Sequence, residues 1–165
     1  MNFLKKYGPY LSIALIVLAL GFLFLPYIRT GDNNIYYANG YMAIFNIKES
    51  GLPSTVTNKG GPSVMLIIAF VLSVLSLIAL PFYKKDVVLT LMSGIALSAS
   101  GVIFFLAHLI LFVNLRGAIF VGTFGLYLVA SLITLAGLIS LLIGIQYLKE
   151  HNKNESNSRY SYIRK

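Results

Sequence analysis

Hydrophobic positions gather into four long runs, Tyr10 to Ile28, Val64 to Tyr83, Val87 to Val113 and Ala118 to Tyr147, and no Asp, Glu, Lys or Arg interrupts them. A helix needs roughly 20 apolar residues to cross the hydrocarbon core of a bilayer. The pattern therefore predicts an all-α membrane protein. Four transmembrane helices over about 10–28, 64–83, 87–113 and 118–147 would form a bundle, with 1–148 as one membrane domain. A long first outer loop, 29–63, and a short inner turn connect the first three spans.

The ends of the runs carry stop signals. Pro26 in Leu25-Pro26-Tyr27 and Pro81 in Leu80-Pro81-Phe82 should end or bend the first and second spans. Lys84-Lys85-Asp86 is long enough only for an antiparallel hairpin of the second and third spans, and Asn114-Leu115-Arg116-Gly117 turns the third into the fourth. The third and fourth runs are longer than the hydrocarbon core is thick, so they must tilt or project beyond it.

Small residues recur along each run at intervals of three, four and seven, which keeps them on one helical stripe. They are Ala14 and Gly21 in the first, Ala69, Ser73, Ser76 and Ala79 in the second, Gly94, Ser98 and Gly101 in the third, and Ala130, Thr134, Gly137 and Gly144 in the fourth. In lipid, where apolar surface gives no drive to associate, such stripes let helices approach closely. They are expected to pack the bundle.

The outer loop has patterning of its own. Ile35-Tyr36-Tyr37-Ala38 and Tyr41-Met42-Ala43-Ile44-Phe45 flank Asn39-Gly40, the dipeptide that suits a two-residue hairpin turn, and Ser54-Thr55-Val56-Thr57 offers a third short strand. The favoured expectation is a small β-hairpin. The alternative makes Asn39 the N-cap of a short helix from Tyr41 to Asn46. Either way Ile35, Tyr36, Tyr37, Tyr41, Met42 and Phe45 concentrate apolar and aromatic surface outside the bilayer, and they are the candidate interaction residues.

Charge orients the frame. Only 11% of residues are charged and 58% are hydrophobic, which leaves little chain for a separate soluble domain. The net charge of +8 sits in short flanks: nine Lys or Arg fall in 1–9, 84–86 and 148–165, against Arg29, Lys48, Lys59 and Arg116 on the other side. The positive-inside rule then predicts a multi-pass cell-membrane protein with both termini cytoplasmic. Dispersed flanks of this kind make no nucleic-acid surface. Tyr7, Tyr10, Tyr83 and Tyr147 are expected at the inner interface and Tyr27 at the outer one, and no small-x-small cleavage site follows the first run, so it reads as an uncleaved span.

Candidate chemistry is sparse. The chain has no cysteine, which excludes disulfides and thiol catalysis, and its two histidines, His108 and His151, are far apart, so no metal cluster is expected. His108 continues the stripe of Gly94, Ser98 and Gly101 but lies roughly 30 Å along the helix from Val87, at about 1.5 Å per residue. It is expected to face the bundle near its outer end, bonding a loop carbonyl, with Asn114 and Arg116 beside it as a candidate polar site. Ser98-Ala99-Ser100-Gly101 resembles the nucleophile motif of rhomboid proteases, but Ser98 replaces its first glycine, and Ser100 is too far along the helix from His108 to touch it. No catalytic residue and no cofactor is expected. The first span also lacks the acidic residue on which small multidrug exporters depend. The tail, 149–165, rich in Asn, Ser and charge, is expected to be disordered, basic and cytoplasmic.

A short basic N-terminus, a span ending in Leu25-Pro26-Tyr27, a loop carrying Asn39-Gly40-Tyr41-Met42-Ala43-Ile44-Phe45-Asn46, three more spans and a polar tail follow in order. That order resembles small uncharacterised four-span bacterial membrane proteins. The layout is also similar to that of claudins, with a long first outer loop, a short inner turn and a long third helix. The tryptophan signature and cysteine pair of the claudin loop are missing here, so that resemblance implies architecture and not junction-forming activity. The expected function is non-enzymatic: an accessory subunit or self-associating structural component that acts through contacts, with the first outer loop as recognition surface. Its partners would be the lipid bilayer and a membrane protein or a second copy of the chain. The alternative is a facilitator or channel-like subunit for a neutral or lipid-like solute, its path lined by Ser93, Ser98, Ser100, Ser131, Thr134 and Ser140.

Overall fold

The structure, a computed structural model, describes residues 2–30, 37–45, 62–82, 86–114 and 120–163; the side chains of 2, 3, 5, 30, 114, 120 and 151–163 are not among those described. In chain order the elements are α1 (Asn2–Phe22), β1 (Pro26–Thr30), β2 (Tyr37–Asn39), α2 (Gly40–Phe45), α3 (Val64–Ala79), a 3-10 turn (Leu80–Phe82), α4 (Val87–Phe105), α5 (Ala107–Asn114), β3 (Phe120–Gly122) and α6 (Phe124–Ile163). Three segments are long and apolar enough to cross a membrane: Val64–Phe82, Val87–Phe105 and Phe124–Glu150. The apolar part of α1, Lys6–Phe22, is shorter. α6 packs along both α4 and α1, and α3 packs on α4.

Facing helices meet through their small residues where the backbones come closest. Gly101 lies against Thr134, Ser98 against Gly137, Gly94 against Leu141 and Leu91 against Gly144, so numbers fall on α4 as they rise on α6, the register of an antiparallel pair. A Cβ on Gly137 would stand 2.7 Å from the Ser98 nitrogen, and one on Gly94 2.8 Å from the Leu141 nitrogen. Only glycine permits that approach. α3 joins α4 through Ser73 and Ser100, whose hydroxyls share a hydrogen bond of 2.7 Å beside the Ala69 carbonyl. α1 joins α6 through Ser12, which donates to the Ala136 carbonyl at 3.3 Å and lies 3.1 Å from the Ser140 hydroxyl.

The first stripe falls elsewhere than expected. Ala14 and Gly21 lie on the exposed side of α1, and Gly21 has open space where a side chain would be. The buried face runs through Gly8, Ser12, Ile16, Ala19 and Leu23. Size alone does not choose a face; the Ser12 bond to α6 distinguishes the one that packs. Elsewhere the stripes are inward: Ala69, Ser73, Ser76, Gly94, Gly101, Ala130, Gly137 and Gly144 are buried, and Ala79, Ser98 and Thr134 half-buried.

Four boundaries differ from the hydropathy pattern. The first helix stops at Phe22 in place of 28, because tight turn bonds from Leu23, Phe24 and Leu25 back to Leu20, Gly21 and Phe22 close it, and Pro26 then begins a strand. The fourth run begins with a strand too, Phe120–Gly122, so an all-α fold is corrected to a helical body with a three-stranded antiparallel sheet, ordered β2-β1-β3. The third run, 87–113, is two helices broken at Leu106, with no proline there; the Tyr27 hydroxyl reaches the Phe104 carbonyl at 3.4 Å beside the break. Tyr27 is thus fully buried within the protein. Finally, α6 continues to Ile163, where composition predicts a disordered tail. A helix already nucleated extends at little further cost.

The start of α4 shows its own signal. Asp86 caps α4, accepting from the backbone N–H groups of Val88 and Leu89 at 2.9 and 3.1 Å. Lys84 and Lys85 lie outside the described residues.

Candidate functional site

The sheet end of the helical body is assembled from three separate stretches of chain and exposes aromatic and basic side chains together. Alternation along short strands sends neighbouring side chains to opposite faces. Across the sheet, Ala38, Ile28 and Gly122 form one cross-strand row, with Ala38 and Ile28 fully buried; Tyr37, Arg29 and Val121 form the next, and all three are exposed. A register shift between Pro26 and Ile28 lets Tyr27 point inward as well.

The start of α6 is locked onto this sheet. Thr123 donates its N–H to the Tyr27 carbonyl at 3.1 Å and its hydroxyl to the Pro26 carbonyl, while a side chain at Gly125 would collide with that same carbonyl. Phe124 is held at the corner with 74% of its surface exposed. Arg29, Tyr37, Gly122, Thr123 and Phe124 surround a pocket of about 330 Å³. Among the described residues no carboxylate lies at this end: Asp86 caps the far end of α4, and Glu150 lies far along α6 from the sheet.

Asn39-Gly40 does not make the expected hairpin. Strand β2 pairs with β1, and Asn39 caps α2 by accepting the Met42 N–H at 2.8 Å. The reason is packing as well as capping: a Cβ at Gly40 would stand 3.0 Å from the Leu23 carbonyl oxygen, and the Gly40 N–H donates to that oxygen at 2.7 Å. The candidate interaction residues consequently divide. Tyr41 and Met42 are half-buried and pack on the core, Tyr41 donating its hydroxyl to the Leu20 carbonyl at 3.2 Å and meeting Phe24 at a tilt and Phe70 edge-on. Phe45 is partly exposed and meets Phe70 edge-on at 5.2 Å. Tyr37 faces outward at the pocket, and Ile35, Tyr36 and the proposed strand Ser54–Thr57 lie outside the described residues.

Of the candidate polar trio, only the side chain of His108 is among those described. His108 sits half-buried on α5, and its Nδ1 is buried with no hydrogen-bond partner among the described residues. The side chain of Asn114 and all of Arg116 lie outside the described residues. No three of His, Asp or Glu cluster as metal ligands among the described residues. A second concavity, about 460 Å³, lies between α4 and α6 by the break at Leu106, walled by Gly101, Phe105, Leu106, Thr134 and Leu138. It is almost wholly apolar.

Sequence reading missed Arg29, Thr123 and Phe124 as a group. Phe120-Val121 and Thr123-Phe124 sit inside an apolar run whose composition suits strand and helix equally, so periodicity gives no warning of the change. Neither the models of known protein families nor the curated proteins include a match to this chain.

Proposed function

We propose that the chain is a four-span, non-enzymatic integral membrane protein that works through contacts, as an accessory subunit or self-associating component. Its termini are cytoplasmic and the sheet end is its extracytoplasmic recognition surface. The observation that carries this reading is the exposed row Tyr37, Arg29 and Val121 beside Phe124, displayed on a platform clamped to the bundle by Thr123 and Gly125. Rigid aromatic and arginine side chains around a pocket are the usual energetic centres of protein interfaces. In this reading α1, whose apolar part Lys6–Phe22 is the shorter one, makes the fourth crossing with the buried turn at Leu23 and the start of β1. A helical body capped by a sheet that joins the first and second outer connections extends the claudin-like layout, as architecture only.

The hydroxyls named for a solute path weigh against a pore through one chain. Ser100 is bonded at the α3–α4 seam, Ser140 at the α1–α6 seam, and Ser93, Ser98 and Thr134 bond carbonyls of their own helices. In mild detergent the protein should run as a multimer or with a co-purifying chain. Tyr37→Ser with Phe124→Ser should abolish that association and change stability by no more than about 0.5 kcal/mol, as for exposed sites. A lone monomer, with no change on substitution, would oppose the proposal.

A further inference from the structure

The sheet-end pocket also has the makings of an anion site, and we propose that it binds a phosphate group, carried by a lipid headgroup or by a small soluble phosphate. The inference rests on the functional reading only in taking the sheet end as the working surface. Arg29 stands at the middle of the exposed row, between Tyr37 and Val121, and lines the pocket with Tyr37, Thr123 and Phe124. Its guanidinium has no ion pair among the described residues, and no described carboxylate is at this end to compete for it. A planar fork of donors matches phosphate oxygens two at a time. The Tyr37 phenol adds a further donor.

The other wall residues favour an anion with an organic substituent. Thr123 spends its hydroxyl proton on the Pro26 carbonyl, so it gives an anion no donor and leaves the charge to Arg29. Phe124 and Val121 are exposed apolar surface at the rim of helices long enough to span a membrane, the level at which headgroups lie. Gly122 contributes no side chain to the pocket, whose volume of about 330 Å³ admits more than a bare ion. The start of α6 at Phe124 adds a partial positive charge as a secondary effect.

Arginine modification by phenylglyoxal reads the site directly. The full chain in nanodiscs is labelled with phosphatidylglycerol, with diacylglycerol of the same acyl chains, or with inorganic phosphate, and adduct formation at Arg29 is timed by peptide mass spectrometry against Arg159. Phosphatidylglycerol should slow labelling of Arg29 about ten-fold relative to diacylglycerol, the size of one charge-assisted hydrogen bond. Tyr37→Phe should weaken that protection without altering the unprotected rate. Protection by inorganic phosphate as well identifies a soluble phosphate as ligand, and protection by the lipid alone identifies the headgroup; either supports the site. Equal labelling under all three conditions, or equal protection by diacylglycerol, overturns it. Crosslinking of the same samples reads association separately. Unprotected Arg29 in protein that still associates removes the anion site alone, whereas protection in protein that does not associate removes the recognition reading alone.

Discussion

The seam between α4 and α6 and the sheet end of the bundle use small residues and polar groups in opposite ways. Along the seam, Gly94, Gly101, Gly137 and Gly144 bring two backbones together, and the hydroxyls of Ser98 and Thr134 are turned back on the Gly94 and Ala130 carbonyls. At the sheet end, Gly40 and Gly125 also fit against backbone, but they do so to present Tyr37, Arg29 and Phe124 outward. Close packing joins two helices in the first region and serves as a mount in the second. Polarity is spent internally where lipid surrounds the chain, because an unpaired polar group there is costly, and is left available where water or headgroups can reach it.

Gly137→Leu should break the contrast most severely. The side chain has no room beside Ser98, and overpacking a site bounded by backbone costs about 1–3 kcal/mol or more. Thermal unfolding in detergent should show a large loss of folded protein, whereas Gly21→Leu, which enters open space on α1, should leave the melting curve in place.

Asn39→Ala tests whether the platform is held locally. Losing a side-chain N-cap costs about 1 kcal/mol, typically within 0.5–2. Hydrogen exchange should accelerate over 37–45 and stay slow in α4 and α6. Equal acceleration in all three would mean that the platform and the seam unfold as one unit.

The smallest effect concerns the polar rung between α3 and α4. A double-mutant cycle of Ser73→Ala and Ser100→Ala should give a coupling of about 0.6 kcal/mol, the average for such bonds between membrane helices. A coupling near zero would mean that each hydroxyl is satisfied equally well by the Ala69 carbonyl, which both approach.

Much of the helical body could be read from the chain because its signals are local and repeated. The second apolar run ends in the 3-10 turn that carries Pro81, and three of the four small-residue stripes face inward as spacing predicts. The sheet was less legible. Tyr27 and Ile28 follow an apolar helix without a change of composition, and Phe120–Gly122 precedes another, so nothing local distinguishes strand from helix there. Asn39-Gly40 suits a hairpin turn and an N-cap alike, and the fit of Gly40 against Leu23, 17 positions earlier in the chain, accompanies the cap.

By itself the sequence determined long uncharged helices, their polar connections and the positions where backbones can meet, since hydropathy, charge and residue size act at each residue regardless of its neighbours in space. The tertiary structure decided which face of α1 is buried, where the third run breaks, and that Arg29, Tyr37 and Phe124 share one pocket. Those outcomes depend on pairings between segments remote in sequence, β1 with β2 and β3 and Ser12 with Ser140, whose energies exist only once the helices have brought the segments together.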